Sequence, residues 1–107
     1  GGGSSPTTIT LLGYAYYGNI SLSSALNYDA LYVVVAYTPD VTEFRQSVMI
    51  YKTSGTSTFE DATPVFFYNY SDNVYNYVHI KNITNTKCSI EMDMLSQPKV
   101  YVYGVKY

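Results

Sequence analysis

The stretch "ALYVVVAY", residues 30–37, is apolar at both alternating sets of positions. A half-buried strand alternates apolar and polar side chains, so a run that is apolar on both faces is typical of a central strand in a packed sheet. Thr38, Pro39 and Asp40 follow as a turn signal. The next stretch, "EFRQSVMIYK" at residues 43–52, is therefore predicted to return as the antiparallel partner.

The second half of the chain repeats this pattern of short strands and turns. "PVFFYNY" (64–70) and "VYNYVHI" (74–80) flank the turn residues 71–73, and "KCSIEMDM" (87–94) and "KVYVYGVKY" (99–107) complete the series. Turn signals at intervals of about 8 to 12 residues are typical of antiparallel sandwiches. The sequence predicts an all-β fold, an antiparallel β-sandwich or jelly-roll-like domain of about eight strands.

The first third of the chain carries weaker signals. "TITLLGYAYY" (8–17) and "ISL" (20–22) flank a turn at Gly18 and Asn19, which predicts a hairpin that ends near Leu22. The segment "SSALNYD", residues 23–29, is interpreted as a single helical turn or an ordered loop.

Length and charge limit the domain organisation and the partners. The chain has 107 residues, so residues 8–107 are predicted to form a single domain, and residues 1–7 a flexible linker or cloning scar. Only 13% of the residues are charged, against about 25% in an average globular domain. A net charge of -2 without a basic stripe disfavours nucleic acid as a partner. No stretch approaches the roughly 20 apolar residues of a membrane span, so membrane insertion is not expected.

Residues suited to catalysis are scarce. Cys88 is the single cysteine and lies in an alternating run, which predicts a small buried hydrophobe. His79 is the single histidine and has no second ligand at a neighbouring spacing, so no metal site is predicted. Glu91 and Asp93 are interpreted as solvated surface residues. A Ser-His-Asp triad that includes His79 stays open, because residues far apart in the sequence can become neighbours in the folded chain. We therefore predict no enzyme, no catalytic residue and no cofactor.

Tyrosine is the strongest chemical signal, with 14 residues against no tryptophan. Tyr75, Tyr77 and His79 alternate on one strand, and Tyr68 and Tyr70 alternate on its predicted partner. A tyrosine ring stacks on the C–H face of a pyranose while its hydroxyl bonds outward, although packing of the domain or an oligomer is an equally weighted alternative. The predicted ligand-binding residues are Tyr68, Tyr70, Asp72, Tyr75, Tyr77 and His79, with the loop Thr53 to Glu60 as second choice.

The last predicted strand is apolar on both faces. Val100 and Val102 lie on one face. The opposite face carries Tyr101, Tyr103, Val105 and Tyr107. A small sheet packed on one side cannot cover both faces, so the pattern leaves open what covers the second one.

The order of four stretches resembles a known family. "TLLGYAYYGNISLSSALNYDALYVVVAY", "FRQSVMIY", "YVHIKNITNTKCSIEM" and "KVYVYGVKY" together look like the C-terminal receptor-binding head domain of bacteriophage and prophage tail fibres, tail adhesins and minor structural proteins. The matching features are the "NYD" loop at Asn27 to Asp29, the apolar strand Ala30 to Tyr37, Arg45 in the next strand, and the closing strand at Tyr103 to Lys106. The resemblance covers nearly all residues after the linker.

The resemblance implies a non-enzymatic receptor-binding domain at the tip of a virion tail. Such heads are β-sandwiches that assemble as homotrimers on an upstream fibre shaft and bind a bacterial surface polysaccharide or glycan without cutting it. A trimer would cover the second face of the last strand, so the resemblance implies an oligomer interface at Tyr101, Tyr103, Val105 and Tyr107. Cover by a loop of the same subunit is the alternative. Two alternatives stay open: a stand-alone carbohydrate-binding module of a secreted bacterial protein, and a structural fibre domain without a ligand.

Overall fold

A computed structural model describes most of the chain. The described residues are 8–38, 43–53, 55–69, 73–93 and 98–107. They form eight strands. The strands are β1 (Thr8–Ala15), β2 (Asn19–Ser21), β3 (Ala30–Tyr37), β4 (Phe44–Tyr51), β5 (Val65–Asn69), β6 (Val74–Lys81), β7 (Lys87–Met92) and β8 (Lys99–Lys106).

The strands form two antiparallel four-stranded sheets. Sheet 1 has the order β1-β8-β3-β4, and sheet 2 has the order β2-β7-β6-β5. The pairs β3-β4 and β5-β6 are joined directly along the chain, as predicted, and so is the pair β6-β7. The other connections pass between the sheets. The predicted all-β sandwich of about eight strands is confirmed.

The two sheets share one apolar core. In sheet 1, Val33 pairs with Val102 and Val35 with Val100, and all four side chains point inward and are fully buried. Sheet 2 contributes branched side chains such as Ile80 to the same cluster. Burying each such side chain stabilises the fold by roughly 1.5 to 3 kcal/mol. β3 lies between β8 and β4, which confirms its prediction as a central strand.

The predicted hairpin of residues 8–22 is wrong. β1 pairs with β8, from Thr8 opposite Lys106 to Ala15 opposite Val100, whereas β2 pairs with β7 in the other sheet. Gly18 has a φ of 79°, and the chain turns there to pass from sheet 1 to sheet 2. A turn signal fixes where the chain changes direction and leaves the partner of each strand undetermined.

Of the two interpretations of residues 23–29, the structure shows the single helical turn, a 3-10 turn at Ala25–Asn27. The Ala25 amide donates to the Asn85 carbonyl at 3.0 Å, and the Leu26 amide donates to the Asn85 side-chain oxygen at 3.0 Å. The following residue, Tyr28, packs its ring against Gly104 of β8. This segment therefore ties the β6-β7 turn to the last strand.

Gly13 lies at a β-bulge in β1. The register with β8 shifts between Leu11 and Gly13, and the inserted Leu12 points into the core. A Cβ atom on Gly13 would lie 2.0 Å from the backbone oxygen of Ser21. The bulge therefore brings β1 of sheet 1 directly against the backbone of β2 in sheet 2.

Cys88 is buried on β7, as the alternating pattern predicts. Burial raises the pKa of the Cys88 thiol to about 12, because the charged thiolate would be poorly solvated there. The side chain is therefore a neutral thiol at physiological pH. Within the described part of the chain, no helix is long and apolar enough to cross a membrane.

Candidate functional site

Four aromatic rings line the outer face of the β5-β6 hairpin. The register places Tyr68 opposite Tyr75 and Phe66 opposite Tyr77. The Tyr68 and Tyr75 ring centroids are 5.0 Å apart and nearly perpendicular, at 70°, while the Phe66 and Tyr77 centroids are 6.5 Å apart. These four residues are called the aromatic platform. The sequence pattern correctly places Tyr68, Tyr75 and Tyr77 together; Phe66 was missed, although it precedes Tyr68 by two positions.

The platform is open to solvent. Tyr75 is 70% exposed and Phe66 is 56% exposed, while Tyr68 and Tyr77 are half-buried between their neighbours. The Tyr68 hydroxyl donates to the side-chain oxygen of Asn73 at 3.2 Å. Asn73 adopts a left-handed φ of 54° just before β6, a conformation in which asparagine is enriched. The orientation of one ring is thus fixed by the hairpin turn itself.

A polar group continues the platform along β6. His79 follows Tyr77 on the same face and lies opposite Glu91 of β7, with 4.0 Å between Nδ1 and the nearer carboxylate oxygen. The other carboxylate oxygen accepts a hydrogen bond from Lys81 at 3.2 Å. Glu91 is thus paired with a cation and lies beside the predicted site, a position that only the cross-strand register reveals. The group offers donors and acceptors next to the rings.

Two predicted site residues, Tyr70 and Asp72, lie outside the described residues. The second-choice loop is closed by its own hydrogen bonds: the Thr53 amide donates to the Thr58 carbonyl at 2.9 Å. Its end is anchored by Phe59, whose buried ring lies 5.6 Å from the ammonium nitrogen of Lys52. The exposed residues between these anchors are Gly55, Thr56, Ser57 and Thr58.

The outer face of sheet 1 is also rich in aromatic side chains. Tyr103 stands next to both Tyr101 and Tyr32, with ring centroids 6.4 Å and 6.3 Å apart. The ammonium nitrogen of Lys99 lies 4.4 Å from the Tyr14 ring centroid and 4.9 Å from that of Tyr101, and a hydrogen bond with Tyr101 raises the pKa of Lys99. Further apolar side chains stand exposed on this face: Ile9, Leu11, Tyr14 and Tyr51.

The predicted oligomer-interface residues differ in exposure. Tyr101 and Tyr103 are half-buried on the outer face of sheet 1, and Tyr107 is exposed. Val105 lies on the same face, between Ile9 of β1 and Ala30 of β3, and is only 2% exposed. Val105 is therefore covered within the chain and offers almost no contact area.

A cavity of about 430 Å³ opens on this same face, away from the aromatic platform. We call it the trough. Its lining comes from all four strands of sheet 1: Ile9, Tyr32, Val34, Arg45, Gln46, Ser47 and Tyr103. The sequence pattern gave no sign of the trough, because its strands are not consecutive along the chain.

Comparison with known proteins found no family model, no curated protein and no solved structure that matches this chain. Within the described residues, no group of three or more His, Cys, Asp and Glu side chains could hold a metal ion. The resemblance to tail-fibre heads therefore stays a prediction that rests on the residues quoted above.

Proposed function

We propose that this chain is a non-enzymatic receptor-binding head that attaches to a bacterial cell-surface saccharide through the aromatic platform. The observation that carries the proposal is the cross-strand set of four rings on the outer face, at Phe66, Tyr68, Tyr75 and Tyr77, of which Phe66 and Tyr75 are exposed. Apolar ring faces left in water are stabilised when a pyranose covers them with its C–H groups. A strand pair holds such rings in place before the ligand arrives, which lowers the entropy lost on binding.

The residues beside the platform suit the rest of a sugar. A pyranose presents hydroxyl groups at its rim, and each hydroxyl both donates and accepts hydrogen bonds. His79, two residues after Tyr77 on β6, and Glu91, which lies opposite His79 and pairs with Lys81, supply both kinds of partner. The proposed site thus combines an apolar floor with a polar margin, as saccharide recognition requires.

The first prediction concerns two rings of the platform. Tyr75→Ala and Tyr77→Ala are each expected to weaken binding by about 1 to 3 kcal/mol, as removal of an aromatic anchor does at other interfaces. The measurement is the affinity of each variant for a glycan selected with the unaltered protein from an array of bacterial surface saccharides. Tyr17→Ala is the matched control for Tyr75→Ala, because Tyr17 is 66% exposed against 70% for Tyr75 and lies outside the platform. Unchanged affinity in both folded variants would remove the platform as the site.

The proposal includes assembly as a homo-oligomer, a trimer by resemblance, on an upstream fibre shaft at the virion tail tip. Its support is the exposed apolar outer face of sheet 1, which includes Ile9, Leu11 and Tyr14 beside the half-buried rings of Tyr101 and Tyr103. Contiguous apolar patches on a soluble protein mark contact surfaces. Copies that bury this patch together would remove it from water.

The second prediction tests this contact. Tyr103→Asp and Tyr107→Asp together are expected to reduce the mass in solution from three times 12.0 kDa to that of one chain, because a buried carboxylate without a partner is costly. Light scattering coupled to size exclusion measures the mass, and Tyr17→Asp is the control. An unchanged oligomer in the folded double variant would overturn the proposed interface.

The second candidate is a stand-alone carbohydrate-binding module of a secreted bacterial protein. The observation that favours it is that the platform is complete within one chain, since all four rings come from β5 and β6. A single-chain mass together with platform-dependent glycan binding would select this candidate. A structural fibre domain without a ligand would show neither binding nor any effect of Tyr75→Ala.

A further inference from the structure

The trough combines an apolar floor with polar groups at one end. Val34 forms part of its lining and is 9% exposed, while the Tyr32 and Tyr103 rings stand beside it, with centroids 6.3 Å apart. Arg45 and Ser47 line it from β4. A concave apolar surface with a few convergent polar groups is the usual form of a small-ligand site, and about 430 Å³ falls in the usual size range of such sites.

The charge at the polar end is balanced. The Arg45 Nε donates to one oxygen of Glu43 at 3.1 Å, and Nη2 donates to the other at 3.4 Å. This pair leaves the other N–H groups of the guanidinium unused by Glu43, and each carboxylate oxygen has further lone pairs. Glu43 thus balances the charge of Arg45, and the remaining guanidinium N–H groups and the Ser47 hydroxyl give this end of the trough hydrogen-bond partners suited to hydroxyl groups.

We propose that the trough is a second saccharide subsite, which holds an uncharged hexopyranose with its C–H face on Val34 and the tyrosine rings and its hydroxyls toward Arg45 and Ser47. This inference rests on the proposed function, since it takes the chain to be a saccharide-binding domain. It adds a site on the sheet opposite to the aromatic platform, built from different strands.

The position of the trough relates it to the proposed oligomer. Tyr103 belongs both to the trough and to the predicted interface, and Ile9 of the trough lies next to the exposed Leu11 and Tyr14 on β1. The polar end, at Arg45 and Ser47, lies on the opposite edge strand β4. A sugar in the trough would therefore lie at the margin of the contact between subunits, with its hydroxyls toward the β4 edge of the sheet.

The test is a titration of the ¹⁵N-labelled protein with methyl glucoside, methyl galactoside, methyl mannoside, N-acetylglucosamine and N-acetylgalactosamine, followed by amide chemical shifts. Two variants act on the trough: Val34→Phe fills it from a position outside the inner core cluster, and Arg45→Ala removes its main donor at an exposed site. Tyr75→Ala acts on the platform alone, and Tyr17→Ala is the neutral control. Thermal unfolding checks that each variant is folded.

We expect sugar-dependent shifts at the amides of Val34, Arg45 and Ser47. These shifts should persist in Tyr75→Ala and vanish in Val34→Phe. In Arg45→Ala the affinity obtained from the titration should fall at least tenfold. Shifts confined to residues 66–79, lost in Tyr75→Ala and unchanged in both trough variants, would overturn the second subsite and leave the proposed function standing. No shift at either site with any of the five sugars would overturn both. If Val34→Phe does not fold, the Arg45→Ala result decides alone.

Discussion

Gly13→Ala is expected to lower the free energy of unfolding by about 3 kcal/mol or more, at the upper end of what overpacking costs. The added Cβ would lie 2.0 Å from the Ser21 oxygen and 3.0 Å from a side-chain carbon of Ile20. The Ser21 oxygen is a backbone atom of β2. Ser21 is paired with Lys87 of β7, so this oxygen cannot move alone. The substitution therefore forces sheet 2 away from the bulge or prevents the bulge from forming.

Denaturant unfolding of the purified variant measures this effect. Gly18→Ala is the matched control, because Gly18 has a left-handed φ of 79° and no atom within 4 Å of an added Cβ. The free energy of unfolding of this control should fall only by the cost of holding alanine in a left-handed conformation, about 1 to 2 kcal/mol. A loss at Gly13 no larger than the loss at Gly18 would contradict the close approach of β1 and β2.

Gly104→Ala is expected to cost about 2 to 3 kcal/mol for a different reason. Here the added Cβ would lie 2.5 to 2.7 Å from three ring carbons of Tyr28, so the obstacle is a side chain. Tyr28 follows the 3-10 turn and is half-buried. The ring occupies the space that a side chain at position 104 would need in the inner layer of the sandwich.

A double-mutant cycle distinguishes this contact from general strain in β8. In a Tyr28→Ala background, Gly104→Ala should lose most of its cost, with a coupling energy of about 1 to 3 kcal/mol. Denaturant unfolding of the four proteins gives the coupling. Additive effects would show that the glycine is needed for another reason. No comparable rescue by a side-chain deletion is expected at Gly13, where the obstacle is backbone.

The sequence predicts the local part of this fold and leaves the rest undetermined. The β3-β4 and β5-β6 pairs follow from two apolar runs and the turn between them, because such strands meet their nearest neighbours. The pairing of β1 with β8 joins residues nearly a full chain length apart, so no short-range signal specifies it. Gly13 and Gly104 carry no local signal either, since the atoms that require them come from other segments.

The local sequence also predicts only part of the candidate site. Period-two alternation places Tyr75, Tyr77 and His79 on one face, and hairpin pairing adds Tyr68. Glu91 appears only once β7 is registered against β6, a step that alternation alone cannot supply. The trough requires four strands in a non-sequential order, and its Arg45 was noticed only through resemblance. The assigned ligand roles remain predictions for all of these residues.

The pairing of β1 with β8 has a mechanical consequence. Thr8 lies beside Lys106, and seven registered positions join the two strands as far as Ala15. A force applied through Thr8 and Lys106 would peel these hydrogen bonds apart one after another. A force that pulls β1 along its own axis, as a tether at Thr8 would when another surface of the domain is held, would load all seven positions at once. The same strand pair would therefore yield easily in the first geometry and resist strongly in the second.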